Sequence, residues 1–383
     1  MKYLGISTIE LEKNGAIHTA REISQQPRLW LKIARQFETE LPSIQSFLNA
    51  IKYDRIILTG AGTSAFIGLS LRGAFQRNFK VLAEAISTTD LVSHPKDYFQ
   101  SEVATLLISF ARSGNSPESV AAVTLADEFC KECYHLVITC NEEGLLAKHV
   151  TKNPKFIFAL PPEANDRSLA MTSSYSGMLL AGKLISGLRT SEVLQRSIPV
   201  ITKYAEKSIA FFAEDIKQIA ALDFKRAVFL GAGTFLGTAT EAHLKLQELT
   251  DGKIICKSDS FLGFRHGPKA VIDETTLVVY LFSNNAYSIQ YERDLVGSMK
   301  KGKRPLAEIG ISESRVAGIT LNTAFTFSEN GIKLDEEFLA ICSIVPAQIL
   351  GFYKSLQLGL KPDAPSETGA ITRVVEGVNI YSL

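Results

Sequence analysis

Arg55-Ile-Ile-Leu-Thr-Gly-Ala-Gly-Thr63 is echoed 171 residues downstream by Arg226-Ala-Val-Phe-Leu-Gly-Ala-Gly-Thr234. Each copy is a β-branched, apolar run that ends in paired glycines and feeds a helical pattern. Four residues could recur by chance. The preceding arginine, the strand and the following helix would not easily recur with them, so the pair reads as an internal duplication of one α/β domain. Around the first copy, further short strands alternate with helices at 81–86, 103–110, 135–140 and 156–160. Continuous apolar strands separated by helices imply a parallel sheet covered on both faces. The fold class expected is therefore α/β, twice over.

Length and charge agree with this. The chain has 383 residues with 41 Lys+Arg against 40 Asp+Glu, enough for two domains that each bury a core. A net charge of +1 leaves no electrostatic footprint for a nucleic-acid partner. Five cysteines, few and odd in number, suit a reducing compartment better than a disulfide scaffold. The opening segment carries Glu10, Glu12 and Lys13 without an apolar leader, so a cytoplasmic location is expected. The longest apolar stretch, 338–352, is broken by Ser343, Pro346 and Gln348. It falls short of the ~20 residues a bilayer span needs and reads as a core helix; no membrane partner is expected. Residues 1–26 read as an arm laid over the first domain, with Gln26-Pro27-Arg28 preceding an amphipathic helix that carries Trp30, Leu31, Ile33 and Phe37. A turn at 187–190 and a helical pattern over 191–222 link the halves. The limits expected are 1–44 for the arm and first helix, 45–197 and 215–366 for the two domains, and 367–383 for the tail.

Three loops or helices carry residues suited to chemistry. Gly60-Ala-Gly62-Thr63-Ser64-Ala65 fits the G-x-G-x-x-A form of a dinucleotide fingerprint, with Glu84 near the position of a ribose-binding acid. A tight turn serving only helix–sheet packing explains it equally well. The second loop, Arg112-Ser113-Gly114-Asn115-Ser116-Pro117-Glu118-Ser119, places Ser116 at a helix N-cap and Pro117 at the first helical position. Two strand ends thus offer hydroxyls at helix N-termini, Thr63 and Ser64 with Ser113 and Ser116. In an open parallel sheet such ends converge on one crevice. A dinucleotide does not call for the serine-rich loop, whereas a compact dianion such as a sugar phosphate does. No G-x-x-x-x-G-K-[ST] sequence is present, which disfavours a nucleotide triphosphatase.

The third group follows the second glycine turn. Lys245 and Glu248 are i, i+3 neighbours on one helix face, where a solvated ion pair is the alternative. His266 lies in Arg265-His266-Gly267-Pro268, set like a working residue. His94 sits beside Pro95, and His135 falls in a buried strand. Glu248 and His266 supply the two proton-handling groups that aldose–ketose chemistry needs. Cys130 and Cys133 form a C-x-x-C in a helical pattern with no second pair nearby; they read as small buried apolar residues rather than as a metal or redox site.

These motifs resemble the sugar isomerase (SIS) family, and within it the AgaS-like members described as galactosamine-6-phosphate deaminase or tagatose-6-phosphate ketose/aldose isomerase. The stretches that carry the resemblance are LTGAGTSAFIG (58–68), TTDLV (88–92), LLISFARSGNSPESVAAV (106–123), CYHLVITCNE (133–142), DRSLAMTSS (166–174), GFRHGPKAVID (263–273) and ITRVVEGV (371–378). The resemblance implies tandem flavodoxin-like SIS domains, a homodimer or higher homo-oligomer and a small-molecule sugar-phosphate substrate; no cofactor or metal is expected. It implies phosphate binding at Ser64 beside Thr63 and at Ser113 and Ser116. It casts Glu248 as the residue that moves the C1/C2 proton, Lys245 as its neighbour on the helix, and His266 as the ring-opening histidine. In the family's glucosamine-6-phosphate synthases that histidine comes from the neighbouring subunit.

Three departures from those synthases bear on function. Ala111-Arg112 replaces Ser-Gln, which adds a guanidinium to the phosphate clamp. The stretch 367–372 carries no counterpart of the synthases' C-terminal lysine. No glutaminase domain is expected ahead of the first SIS domain, so removal of an amine is the expected direction. The reaction implied takes galactosamine 6-phosphate and water to tagatose 6-phosphate and ammonium. The alternatives are ketose–aldose isomerisation without deamination, glucosamine-6-phosphate deamination, and a non-catalytic phosphosugar-binding regulator. A nicotinamide-dependent dehydrogenase is the last of them.

Overall fold

The computed structural model describes every residue except Arg189, Thr190, Glu376 and Leu383. It contains two five-stranded parallel sheets. The first comprises β1 (Arg55–Thr59), β2 (Leu82–Ala85), β3 (Thr105–Ala111), β4 (Cys133–Thr139) and β5 (Lys155–Ala159), in the order β2-β1-β3-β4-β5. The second comprises β6 (Arg226–Leu230), β7 (Ile255–Asp259), β8 (Thr276–Leu281), β9 (Ala307–Ser312) and β10 (Thr323–Thr326), in the order β7-β6-β8-β9-β10. Both follow the flavodoxin-like 2-1-3-4-5 order, with helices on both faces. β1 has the limits expected from the sequence, and β2 to β5 lie within two residues of theirs.

The chain divides into two compact units. One holds the first sheet and consists of Arg28–Asp166, Ser173–Ile198 and Ile371–Leu383; the other holds the second sheet and consists of Met1–Pro27, Arg167–Thr172 and Pro199–Ala370. The opening segment therefore belongs to the same unit as the second sheet. Its polar backbone groups find partners there: Tyr353 Oη donates to Leu4 O at 2.6 Å, and Asp363 accepts from the amides of His18 and Thr19 at 3.1 and 2.8 Å. The amphipathic helix, α1 (Ile17–Ala50), starts ten residues before Pro27 and runs through it. Proline removes the amide that would bond Ile23 O, and Gln26 Nε2 takes its place at 3.0 Å. The linker turn expected at 187–190 falls partly outside the described residues. A helix begins at Ser191 and continues, through a π-helical turn at Ser208–Phe212, to Ala220.

In the first unit, β1 and β3 are neighbours in register, Thr59 opposite Ser109, and every residue of both is buried. The chain leaves them in opposite directions, toward β2 and toward β4, so the crevice at their C-terminal ends is the switch point where doubly wound sheets bind ligands. α2 (Thr63–Phe79) and α3 (Pro117–Phe129) start beside it. Both copies of the glycine turn solve one steric problem. A Cβ on Gly60 would lie 2.6 Å from Ser64, and one on Gly231 would lie 2.4 Å from Phe235 O; Gly62 and Gly233 take φ of +53° and +58°. The helix after the first sheet is α4 (Ser173–Gly187), buried along its length.

In the second unit the sheet separates two layers. On one face Val228, Leu230, Val278 and Tyr280 pack with Phe261, Phe264 and Ile272. Side chains alternate along a strand, and on the other face Val279, Ile309 and Ile311 meet Ala347 and Leu350. α5 (Phe235–Leu249) lies on this second face against α6 (Val345–Gln357): a Cβ on Gly351 would lie 2.8 Å from Leu249 and 3.3 Å from Lys245 O. The apolar stretch 338–352 falls in Glu336–Gln357, a helix long and apolar enough to cross a membrane, yet 94% of its apolar 18-residue window is buried within the protein. It is a core helix, as expected.

Candidate active site

The Ser-rich loop after β3 is held from two sides. Asn141 Nδ2 donates to Ser113 O at 2.9 Å, the Leu145 amide donates to Asn115 Oδ1 at 3.0 Å, and Gly114, at φ +66°, accepts from the Leu146 amide. Ser116 occupies the N-cap of α3 as expected, but its hydroxyl does not cap. It shares a 2.6 Å hydrogen bond with Ser119. Across the switch point, Thr63 and Ser64 open α2 and are buried, at 4% and 5% exposure. Two helix N-termini that follow neighbouring strands, with hydroxyls at their first residues, are an arrangement that can seat a dianion. The Arg112 guanidinium is buried at the same loop and donates to the carbonyl of Arg373. The contact between them left no signal in the sequence, since 261 positions separate the two arginines. Glu84, the candidate ribose acid, is instead 2.7 Å from Arg55 Nε. That ion pair ties the start of β1 to β2, and the dinucleotide reading loses its acidic partner.

In the second unit, Lys245 and Glu248 meet as their spacing implied. Lys245 Nζ lies 2.6 Å from Glu248 Oε2. The pair is not a solvated surface contact: the lysine side chain is fully buried and the glutamate is 23% exposed. A third member went unread. Glu241, one turn earlier and also fully buried, approaches Lys245 Nζ to 3.3 Å. Its i, i+4 relation to Lys245 was visible in the sequence. The buried lysine thus sits between two carboxylates, of which only Glu248 reaches solvent.

His266 is placed differently. It is exposed on a turn between the short helix Phe261–Phe264 and the 3₁₀ turn Pro268–Val271. That segment packs on the face of the second sheet opposite α5. Among the described residues no hydrogen bond joins His266 to Glu248, and the sheet stands between them. His135 is buried in β4 and bonded to Asp127 at 2.8 Å, a structural role. Cys130 ends α3 and Cys133 opens β4, so the C-x-x-C lies at a helix–strand junction rather than within a helix. Both thiols are buried and unlinked. A hydrogen bond from Cys133 pulls the Cys130 thiol down to about 7 despite its burial.

Comparison with known proteins places these features in a family. The SIS domain model matches residues 51–186. The D-galactosamine-6-phosphate deaminase AgaS of Shewanella sp. (strain ANA-3) is 41% identical, over 98% of this chain and 95% of its own length. A solved structure from Clostridium novyi NT, a candidate tagatose-6-phosphate ketose/aldose isomerase, superposes with a TM-score of 0.96 at 40% identity, covering 100% of both chains. The tagatose-6-phosphate ketose/aldose isomerase of Escherichia coli gives a TM-score of 0.86 at 35% identity, over 95% of this chain and 96% of that one. Relatives this similar over nearly the full length leave one conclusion: the chain belongs to the SIS family, among its AgaS-like members.

Proposed function

We propose that the protein is an amino-sugar-phosphate deaminase that converts D-galactosamine 6-phosphate and water to D-tagatose 6-phosphate and ammonium. The observation that carries this reading is full-length similarity to a protein bearing that activity. Features within each unit support it. The 6-phosphate docks at Thr63, Ser64, Ser113 and Ser116, where helix N-termini and hydroxyls converge, with Arg112 adding charge-assisted bonding. His266 moves the ring-oxygen proton as the pyranose opens. Glu248 takes the C2 proton and returns it to C1 through an enolamine, leaving a ketimine at C2. Water adds to the imine, and ammonium leaves. Lys245, held between Glu241 and Glu248, orients the base and balances its charge.

The separation of His266 from Glu248 by the second sheet supports a homodimer in which the histidine serves the neighbouring subunit's site. Size-exclusion chromatography with light scattering tests this: a monomer under assay conditions overturns it. The domain limits 45–197 and 215–366 enclose the two sheets, and we read them as duplicated SIS domains of a cytoplasmic enzyme. A second reading, ketose–aldose isomerisation without loss of nitrogen, is favoured by the Escherichia coli relative. Ammonium release separates the two. The purified protein should liberate ammonium and tagatose 6-phosphate from galactosamine 6-phosphate faster than ammonium from the glucosamine epimer, and Glu248→Gln should abolish it. Ketose formation from an aldose phosphate with no ammonium from either amino sugar would establish the isomerase instead, and full activity in Glu248→Gln would remove the assigned base.

A further inference from the structure

Arg373 joins three segments of the first unit. Its Nε donates to the carbonyl of Asp166 at 2.7 Å, and a terminal guanidinium nitrogen donates to Asn165 Oδ1 at 2.6 Å. Its own carbonyl accepts a hydrogen bond from the Arg112 guanidinium. The anchor at Asn165 and Asp166 is firm. The Asp166 carboxylate, 1% exposed, accepts from the Ser173 amide at 3.2 Å and from the Ser174 amide and hydroxyl at 2.9 and 2.6 Å, fastening it to the start of α4. A planar, forked guanidinium suits such a two-acceptor grip, and a lysine would not reproduce it. The consequence falls on Arg112, which directly precedes Ser113 and is only 8% exposed. Its side chain is directed by a carbonyl whose position depends on the Arg373 fork.

We propose that Arg373 is a positioning residue: by gripping Asn165 and Asp166 it holds its carbonyl where it aims Arg112 at the phosphate of a sugar phosphate bound at the Ser113–Ser116 loop. This rests on the phosphosugar reading of that loop. The C-terminal tail then contributes to substrate affinity through one contact rather than by supplying a reacting group.

The test is a double-mutant cycle on the full-length protein with galactosamine 6-phosphate. Arg373→Ala should raise KM about tenfold with kcat within about twofold, and added to Arg112→Ala it should cost nothing further, because both remove one interaction. Arg373→Lys should recover only part of the loss. An unchanged KM, a fall in kcat alone, or penalties that simply add would overturn the proposal. Stabilisation of the melting temperature by inorganic phosphate gives an arm that needs no turnover: it should be present in the wild type and reduced in Arg373→Ala. A wild type that binds phosphate but releases no ammonium would defeat the deaminase reading alone. Equal phosphate stabilisation in both proteins would defeat the positioning role alone. If Arg373→Ala does not fold, Arg373→Gln carries the same comparisons.

Discussion

Lys245 Nζ sits 2.6 Å from Glu248 Oε2 and 3.3 Å from Glu241 Oε1, with no solvent access of its own. A buried cation between two carboxylates makes its two removals unequal. Lys245→Met leaves Glu241 buried beside a second carboxylate without their shared countercharge, a change that costs about 3–5 kcal/mol. Glu248→Gln keeps the shape and leaves Lys245 with Glu241. Urea unfolding should therefore show Lys245→Met strongly destabilised and Glu248→Gln near wild type, while both lose turnover. Equal stability in the two would mean that the lysine is not the keystone of the cluster.

The phosphate loop invites a different measurement. Ser113 and Ser116 hydroxyls that meet the substrate only at its 6-phosphate bind ground state and transition state alike. Each alanine substitution should raise KM about tenfold and leave kcat nearly unchanged, the signature of lost uniform binding. Ser119→Ala, which removes only the partner of Ser116, should have a smaller effect on KM. A fall in kcat without a change in KM would move these serines to the reacting end of the sugar.

The two glycine turns predict an order of stabilities away from any ligand. A Cβ at position 231 would lie 2.4 Å from the Phe235 carbonyl, which belongs to backbone and cannot swing aside; at position 233 nothing lies within 4 Å, and only φ +58° is strained. Gly233→Ala should cost about 1 kcal/mol. Gly231→Ala should cost more, since helix and strand must move apart to admit the methyl group. Denaturant melts of the two variants check the order, and a reversal would contradict the turn geometry.

The contrast between what was legible in the sequence and what was not follows from range. The repeated Arg-to-Thr stretch, the apolar strands and the Lys245–Glu248 spacing are local patterns, and each became an element or a contact. Pro27 misled because a proline ends most helices; here a neighbouring side chain, Gln26, supplies the lost bond to Ile23. The grip of Arg373 on Asn165 and Asp166 spans about two hundred residues and leaves no periodicity behind. The opposite-face placement of His266 and Glu248 needed the sheet itself.

Cysteine reactivity tests the packing of the first sheet. Four of the five cysteines are buried and only Cys256 is partly open, its thiol pushed up by burial. The lowered Cys130 thiol would react readily if reached, because thiolate is the nucleophile, but its sulfur is shielded at 1% exposure. A disulfide-exchange reagent should therefore label at most one thiol slowly in the native protein and all five after denaturation. Fast native labelling that disappears in Cys130→Ser would show that the α3–β4 junction opens.

Glu292 makes stability depend on pH. It lies in the helix Ser288–Met299 at 1% exposure, and its Oε2 accepts from the Ser283 amide at 2.9 Å. Burial pushes its carboxyl up to about 8; the Ser283 amide works against this, and the charge of Glu336 works with it. The folded protein then holds a proton that the unfolded chain, with an ordinary value of 4.5, has released. Such a group adds stability in full below about pH 4.5, and the contribution drains away as pH rises through about 8. Glu292→Gln is neutral at every pH and keeps the acceptor for Ser283. Between about pH 6 and pH 9, unfolding free energy from urea melts should fall further in the wild type than in Glu292→Gln, so that the variant gains on the wild type in alkali. Parallel curves would show that the carboxyl ionises in the folded state as freely as in water, and that water reaches the crevice beneath Ser283.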